Sequence, residues 1–148
     1  MAPWRAFGPL REAALDARPN AAHYALARLE ERLQGSATVT IITQNVDGLH
    51  QRAGSQDVVE FHGTLRRTRC SNPDCSSEPF DDDAVPVELP RCGVCNAPLR
   101  PDIVLFDEAI PVDAEWRAKK AIRDCNLFIA VGTSGTVSPA SNLVRAAE

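Results

Sequence analysis

A chain of 148 residues, 44% hydrophobic, suits one domain, or one domain with a small insertion, built on a packed core. Its formal net charge of −4 gives no electrostatic footprint for nucleic acid, and no apolar run approaches the length of a membrane span. The opening residues lack the apolar stretch of a signal peptide, so a reducing cytoplasm is the expected compartment, and the five cysteines there serve as metal ligands, nucleophiles or core residues rather than disulfides.

Along the chain, Asn20 follows Pro19 and is placed to cap a helix with Ala22, Leu26, Leu29 and Leu33 on one face and Gly35 to end it. Thr38 to Thr43 reads as a buried strand, and Val58 to Gly63 as a second short one. The basic group Arg66, Arg67 and Arg69 is offset by Asp81, Asp82 and Asp83, and both read as solvated surface. From Arg69 to Leu99 the composition shifts to prolines, acids and four cysteines with little periodicity, which marks an inserted module. Asp102 to Phe106 returns to strand character, and Asp113 is expected to cap a helix to Arg123 that turns Ala118 and Ile122 inward. Residues 126–131 form a near-continuous apolar strand ending in Gly132, Thr133 and Ser134, and a further helix starts near Pro139. Strands alternating with helices predict an α/β fold with a parallel sheet. The expected organisation is a first segment 1–68, a metal-binding module 69–99 and a second segment 100–148.

The strands 38–43 and 127–131 both end in small polar clusters. The carboxyl ends of parallel strands lie on one edge, where ligands bind. Gln44, Asn45 and Asp47 are therefore expected to share a pocket with the Gly132–Ser134 turn, although capping of the following turns accounts for the same residues equally well. Cys70 and Cys75 are separated by four residues, Cys92 and Cys95 by two, and sixteen lie between the pairs. That spacing predicts a tetrahedral four-thiolate zinc site, closed to water and hence structural. Cys125 has no such partner and reads as a small buried hydrophobe. His62 ends a strand beside Gly63, a residue that permits close approach of a ligand; it is either a general base or a structural histidine. His23 and His50 sit on predicted helices and read as structural. The common Gly-rich phosphate loops and the Gly-x-Ser-x-Gly elbow are absent from the sequence.

The segments TQNVDGLHQRAG, EFHG, the two cysteine pairs, LRPDIVLFDE and VGTSGTVSPA follow one another in the order seen in sirtuins, the NAD-dependent protein lysine deacylases. The resemblance runs from about Pro19 onward, and bacterial members are the most similar. It implies a partial Rossmann-like domain carrying an inserted small zinc module, with NAD and Zn2+ as cofactors and acylated lysine in proteins or peptides as substrate. Gln44, Asn45 and Asp47 match residues around the nicotinamide and its ribose, and Gly132, Thr133 and Ser134 match a turn that contacts NAD near its phosphates and adenosine ribose. His62 matches the catalytic histidine, Cys70, Cys75, Cys92 and Cys95 match the zinc ligands, and Val104, Phe106 and Val137 match positions flanking the peptide cleft. The implied reaction is an exchange at the nicotinamide ribose: the acyl-lysine carbonyl oxygen displaces nicotinamide, and His62 removes a proton from a ribose hydroxyl.

The sequence departs from the family pattern in three ways. It starts after the Gly-Ala-Gly turn that cradles the diphosphate, it stops soon after the Gly132–Ser134 turn, and it carries Phe106, Asp107, Glu108 where Phe-Gly-Glu is usual. The first two lead to the expectation that the chain by itself binds NAD weakly, as a zinc-stabilised fragment or binding module with little turnover. Asp107 is expected to disturb the backbone unless its φ is negative. Phe7 and Leu10 align with a Tyr and an Arg of the succinyl- and malonyl-selective members, and neither can bind a carboxylate, so a neutral acyl group such as acetyl is expected.

Overall fold

The computed structural model describes residues 2–133 and 140–146. Helix α1 (Ala2–Asp16) opens the chain, where the sequence reading assigned no element. Pro9 lies inside it and opposes helix formation. Distant partners supply what local propensity does not. Trp4 Nε1 donates to the Leu99 carbonyl at 2.7 Å, and the Arg11 guanidinium stacks over the Trp4 ring at 4.7 Å. The Arg11 side chain is fully buried and donates to the Arg67 and Ala84 carbonyls, Thr68 Oγ1 and Asp82. A buried charge is tolerated when it is paired and hydrogen-bonded in this way.

Helix α2 (Ala21–Leu33) begins as expected. Asn20 Oδ1 accepts from the backbone N–H groups of Ala22 and His23, and the His23 ring accepts from the Asn20 N–H. Gly35 follows at φ +84°. The predicted apolar face finds no cover: no residue of α2 is buried. Periodicity identifies the side of a helix that seeks a neighbour; it does not supply the neighbour.

Strand β1 (Ile41–Thr43) starts three residues later than the strand expected from Thr38. After the short helix α3 (Leu49–Arg52), strand β2 (Val58–Glu60) pairs with it in parallel, Ile41 beside Val58 and Thr43 beside Glu60. The chain then turns directly into β3 (Gly63–Cys70), which lies antiparallel between β4 (Phe80–Asp81) and β5 (Leu99–Ile103). The cysteine-rich segment is thus carried on strands that begin at residue 63 and end at 103.

Gly63 has φ +76°, and a Cβ there would lie 2.2 Å from the Asp102 carbonyl oxygen. Its need for glycine comes from the close approach of the β5 backbone, where the sequence reading placed a ligand. Gly63→Ala combines a left-handed backbone with a steric overlap, and is expected to destabilise by about 2–4 kcal/mol. Denaturant unfolding checks this; a change below about 1 kcal/mol would show that β5 moves aside freely.

Helix α4 (Val112–Asp124) covers the parallel pair. Its Ala118 and Ile122 point inward as predicted. Pro111 occupies the N-cap, leaving Asp113 in the first turn. Proline pre-sets the entry dihedral, and a carboxylate in the first turn suits the helix dipole. Helix α5 (Ala140–Ala146) follows the undescribed residues that include Pro139. Val59, Phe61, Ile110, Ala118 and Ala140 form the core, with Ile42, Val104, Ala114 and Leu143 against it.

Residues 126–133 do not form the predicted buried strand. They are irregular, and Leu127, Ile129 and Val131 are exposed by 77%, 64% and 77%. A β-branched apolar run becomes a strand only where a neighbour completes its ladder, and none of the described strands pairs with it.

Candidate functional site

The site forms where the parallel pair hands over to the antiparallel sheet. His62 is the second of the two residues joining β2 to β3. Its carbonyl accepts from Val104 N at 2.9 Å, and its Nδ1 lies 3.1 Å from the Gln44 carbonyl. A carbonyl can only accept, so Nδ1 carries the hydrogen of the neutral ring. Nε2 is left as the basic nitrogen. The Phe61 ring supports the imidazole at a centroid distance of 5.5 Å.

The same Gln44 reaches the second polar cluster: its Nε2 donates to Thr133 Oγ1 at 3.1 Å. The two clusters, 89 positions apart in sequence, therefore meet, with Gly132 at φ +67° beside them. Asp47 closes a local turn into α3, its Oδ1 accepting from Leu49 N at 3.0 Å, while Gly48 occupies the N-cap at φ +69°. Asn45 is exposed; its backbone N–H is held by Thr43 Oγ1 at 3.1 Å. Val104 packs on the core, and Phe106 is 91% exposed. Ser134 and Val137 lie outside the described residues.

Cys70, Cys75, Cys92 and Cys95 converge, with all four Sγ atoms within 4.8 Å of one another. The Cys70–Cys95 and Cys75–Cys92 separations are 3.4 and 3.7 Å. Tetrahedral Zn–S bonds of about 2.3 Å require an S–S edge of roughly 3.8 Å, so the cluster fits such an ion. Backbone N–H groups of Asn72 and Val94 point at the Cys70 and Cys92 sulfurs, 3.4 Å away in each case. The Cys95 and Val94 amides hold the Cys92 thiol down to about 6. Cys125 is exposed instead of buried, and its thiol donates to the Ile122 carbonyl. The His23 and His50 rings meet between α2 and α3 at a centroid distance of 4.7 Å, tilted by 54°. Burial, then the neighbouring His23, pushes His50 below its ordinary value.

The charged residues are better organised than a solvated surface. Asp81, exposed and outside every described ion pair, and the exposed Arg66–Asp83 pair match that reading. Alternation along β3 buries Thr68 and places Arg67 and Arg69 on the opposite face. There an unbroken chain of ion pairs runs Glu60–Arg67–Asp102–Arg69–Glu108–Arg100. It ties β2 to both strands of the cysteine module and to the turn after Val104. The Arg100 hydrogen bond, and then burial opposing it, sets Glu108, whose carboxyl ends below its ordinary value. This network went unseen in the sequence, although the alternation of Arg67 and Arg69 about Thr68 was its one available signal.

A parallel strand pair covered by a helix, followed by an antiparallel sheet that carries four converging cysteines, gives the molecule an α/β fold. It belongs to the Sir2 family, whose profile matches residues 3–139. A NAD-dependent protein deacylase of Aquifex aeolicus (strain VF5) is 42% identical over 141 residues, covering 95% of this chain and 57% of that protein. A solved Sir2 homolog–NAD complex superposes with a TM-score of 0.88 at 39% identity, covering 97% of this chain and 55% of the other. A Sir2 structure bound to acetylated peptide has a TM-score of 0.77 at 34% identity, covering 91% and 56%. The chain thus spans about half the length of the relatives it matches. No helix among the described residues is long and apolar enough to cross a membrane.

Proposed function

We propose that this chain carries the reacting half of a NAD-dependent protein lysine deacylase site. The observation that supports it most is the tethering of His62 Nδ1 to the Gln44 carbonyl while the Gln44 side chain spans to Thr133. One loop thereby orients a base and joins both polar clusters. Gln44, Asn45 and Asp47 would hold the nicotinamide end of NAD, and Gly132, Thr133 and Ser134 its phosphate and adenosine-ribose side. NAD supplies the electrophilic ribose carbon and the leaving nicotinamide when bound. The protein orients the two substrates and takes up a proton at His62 Nε2. Val104, Phe106 and Val137 would flank an acylated lysine segment added as an extended strand. Phe7 and Leu10 offer no cation for an acidic acyl group, which favours a neutral one such as acetyl.

Zinc is the metal we assign to the four cysteines, because soft thiolates in a closed tetrahedral set select it and leave no open position. Its part is to hold the module, while the chemistry stays at His62.

The test is incubation of the protein, extended to the full length of its relatives, with NAD and an acetyl-lysine peptide, following nicotinamide and deacetylated peptide together. Both are expected to rise in equal amounts and only when NAD is present. Peptide binding without nicotinamide release would reduce the chain to a binding module and overturn the catalytic reading.

A further inference from the structure

We propose that Asp107 makes this site selective for acyl-lysine segments that carry a lysine or arginine close to the modified residue. The proposal rests on the deacylase reading and adds a determinant of substrate class to it.

The turn that bears Asp107 is closed by Glu108 N donating to the Leu105 carbonyl at 3.1 Å, with Phe106 and Asp107 as its central residues. Asp107 has φ +68°, in the second central position, where such a turn favours glycine. A side chain is therefore displayed at a place where the backbone would be easier without one. An outlier of this kind asks for a role.

The turn is also stiffened from inside. The Glu108 carboxylate receives both terminal nitrogens of Arg100 and the Leu105 N–H, and Arg100 Nη2 reaches the Ile103 carbonyl at 2.8 Å. This leaves the tip, Phe106 and Asp107, as the exposed part.

Charge counting singles out Asp107. In the ion-pair chain beneath it, Arg67, Arg69 and Arg100 balance Glu60, Asp102 and Glu108 three to three. Asp107 belongs to none of these pairs and has no ion-pair partner among the described residues. The tip carries an unbalanced negative charge.

Position completes the case. Val104 is bonded to the His62 carbonyl, and Asp107 follows three residues on, within about 10 Å of extended chain. A peptide that lies along Val104 and Phe106 with its acyl-lysine at His62 must pass this carboxylate. A cationic flank gains attraction there, and an acidic flank meets repulsion.

The experiment measures binding of three acetyl-lysine peptides, identical except for lysine, alanine or glutamate beside the modified residue, at low and high salt. The lysine-flanked peptide is expected to bind roughly five-fold or more tightly than the glutamate-flanked one at low salt, with the ratio shrinking as salt rises. In Asp107→Asn, which keeps the shape, and in Asp107→Gly, which suits the positive φ, the ratio should approach one. Equal binding of the three peptides to wild type, or a preference that both variants retain, would overturn the proposal. Failure of every peptide to bind would overturn the deacylase reading itself and the selectivity with it, an outcome distinct from equal binding.

Discussion

Stripping zinc with a strong chelator, or replacing Cys92 by Ser, is expected to lower the melting temperature by more than about 10 °C. Structural zinc sites contribute apparent binding free energies on the order of 10 kcal/mol, comparable to the whole stability of a domain. In a chain of this size, each 1 kcal/mol lost moves the melting point by about 2–4 °C. The loss cannot stay within the cysteine loops. Cys70 ends β3, and Cys92 N donates to the Ala97 carbonyl just before β5. Those two strands bring Gly63 against Asp102 and thereby set the position of His62. On the proposed function, deacylation by the chain extended to its relatives' length should fall together with the melting point, and re-adding zinc should restore both for wild type but not for Cys92→Ser. The checks are metal analysis of the pure protein, expected to give one zinc per chain, and thermal melts with and without chelator. Substoichiometric zinc with four freely titrating thiols would remove the metal from this account.

What could be read in the residues divides by the range of the interaction. The convergence of the four cysteines was legible because each pair sits on a local turn, where spacing alone fixes geometry. The Asn20 cap was legible for the same reason, since donor and acceptor lie within three residues. Helix α1 was not, because Trp4 and Arg11 draw their support from Leu99, Thr68 and Asp82, between 57 and 95 positions away. Residues 126–133 failed in the opposite direction: the local pattern was strong, but no partner strand meets it among the described elements. At the candidate site, Gln44 does meet Thr133, but residues 126–133 form no strand, so the alignment of parallel carboxyl ends that suggested the contact is not what makes it. The double nature of that loop could not be resolved beforehand. Asp47 bonds to the backbone two residues on while Gln44 reaches Thr133, a division that depends on side-chain reach rather than residue type.

In the chain extended to the full length of its relatives, His62→Ala is expected to lower the rate of the proposed NAD-dependent deacylation by about 10²–10⁴-fold, the usual contribution of a general base, and to leave the fold standing. The reason for the separation lies in which atoms do what. The contact that ties this residue to the turn after Val104 is its backbone carbonyl, which the substitution keeps. The side chain contributes one hydrogen bond to Gln44, worth about 1 kcal/mol, so the melting point should drop only a few degrees. Gln44→Ala provides the contrast. It retains the Gln44 carbonyl that orients the imidazole but severs the link to Thr133, so NAD affinity should weaken more than the rate at saturation. Steady-state kinetics on an acetyl-lysine peptide, with NAD varied for each variant, separates the two effects. Wild-type turnover by His62→Ala would make this imidazole a structural strut between two sheets, and the base would have to be sought elsewhere along the same edge.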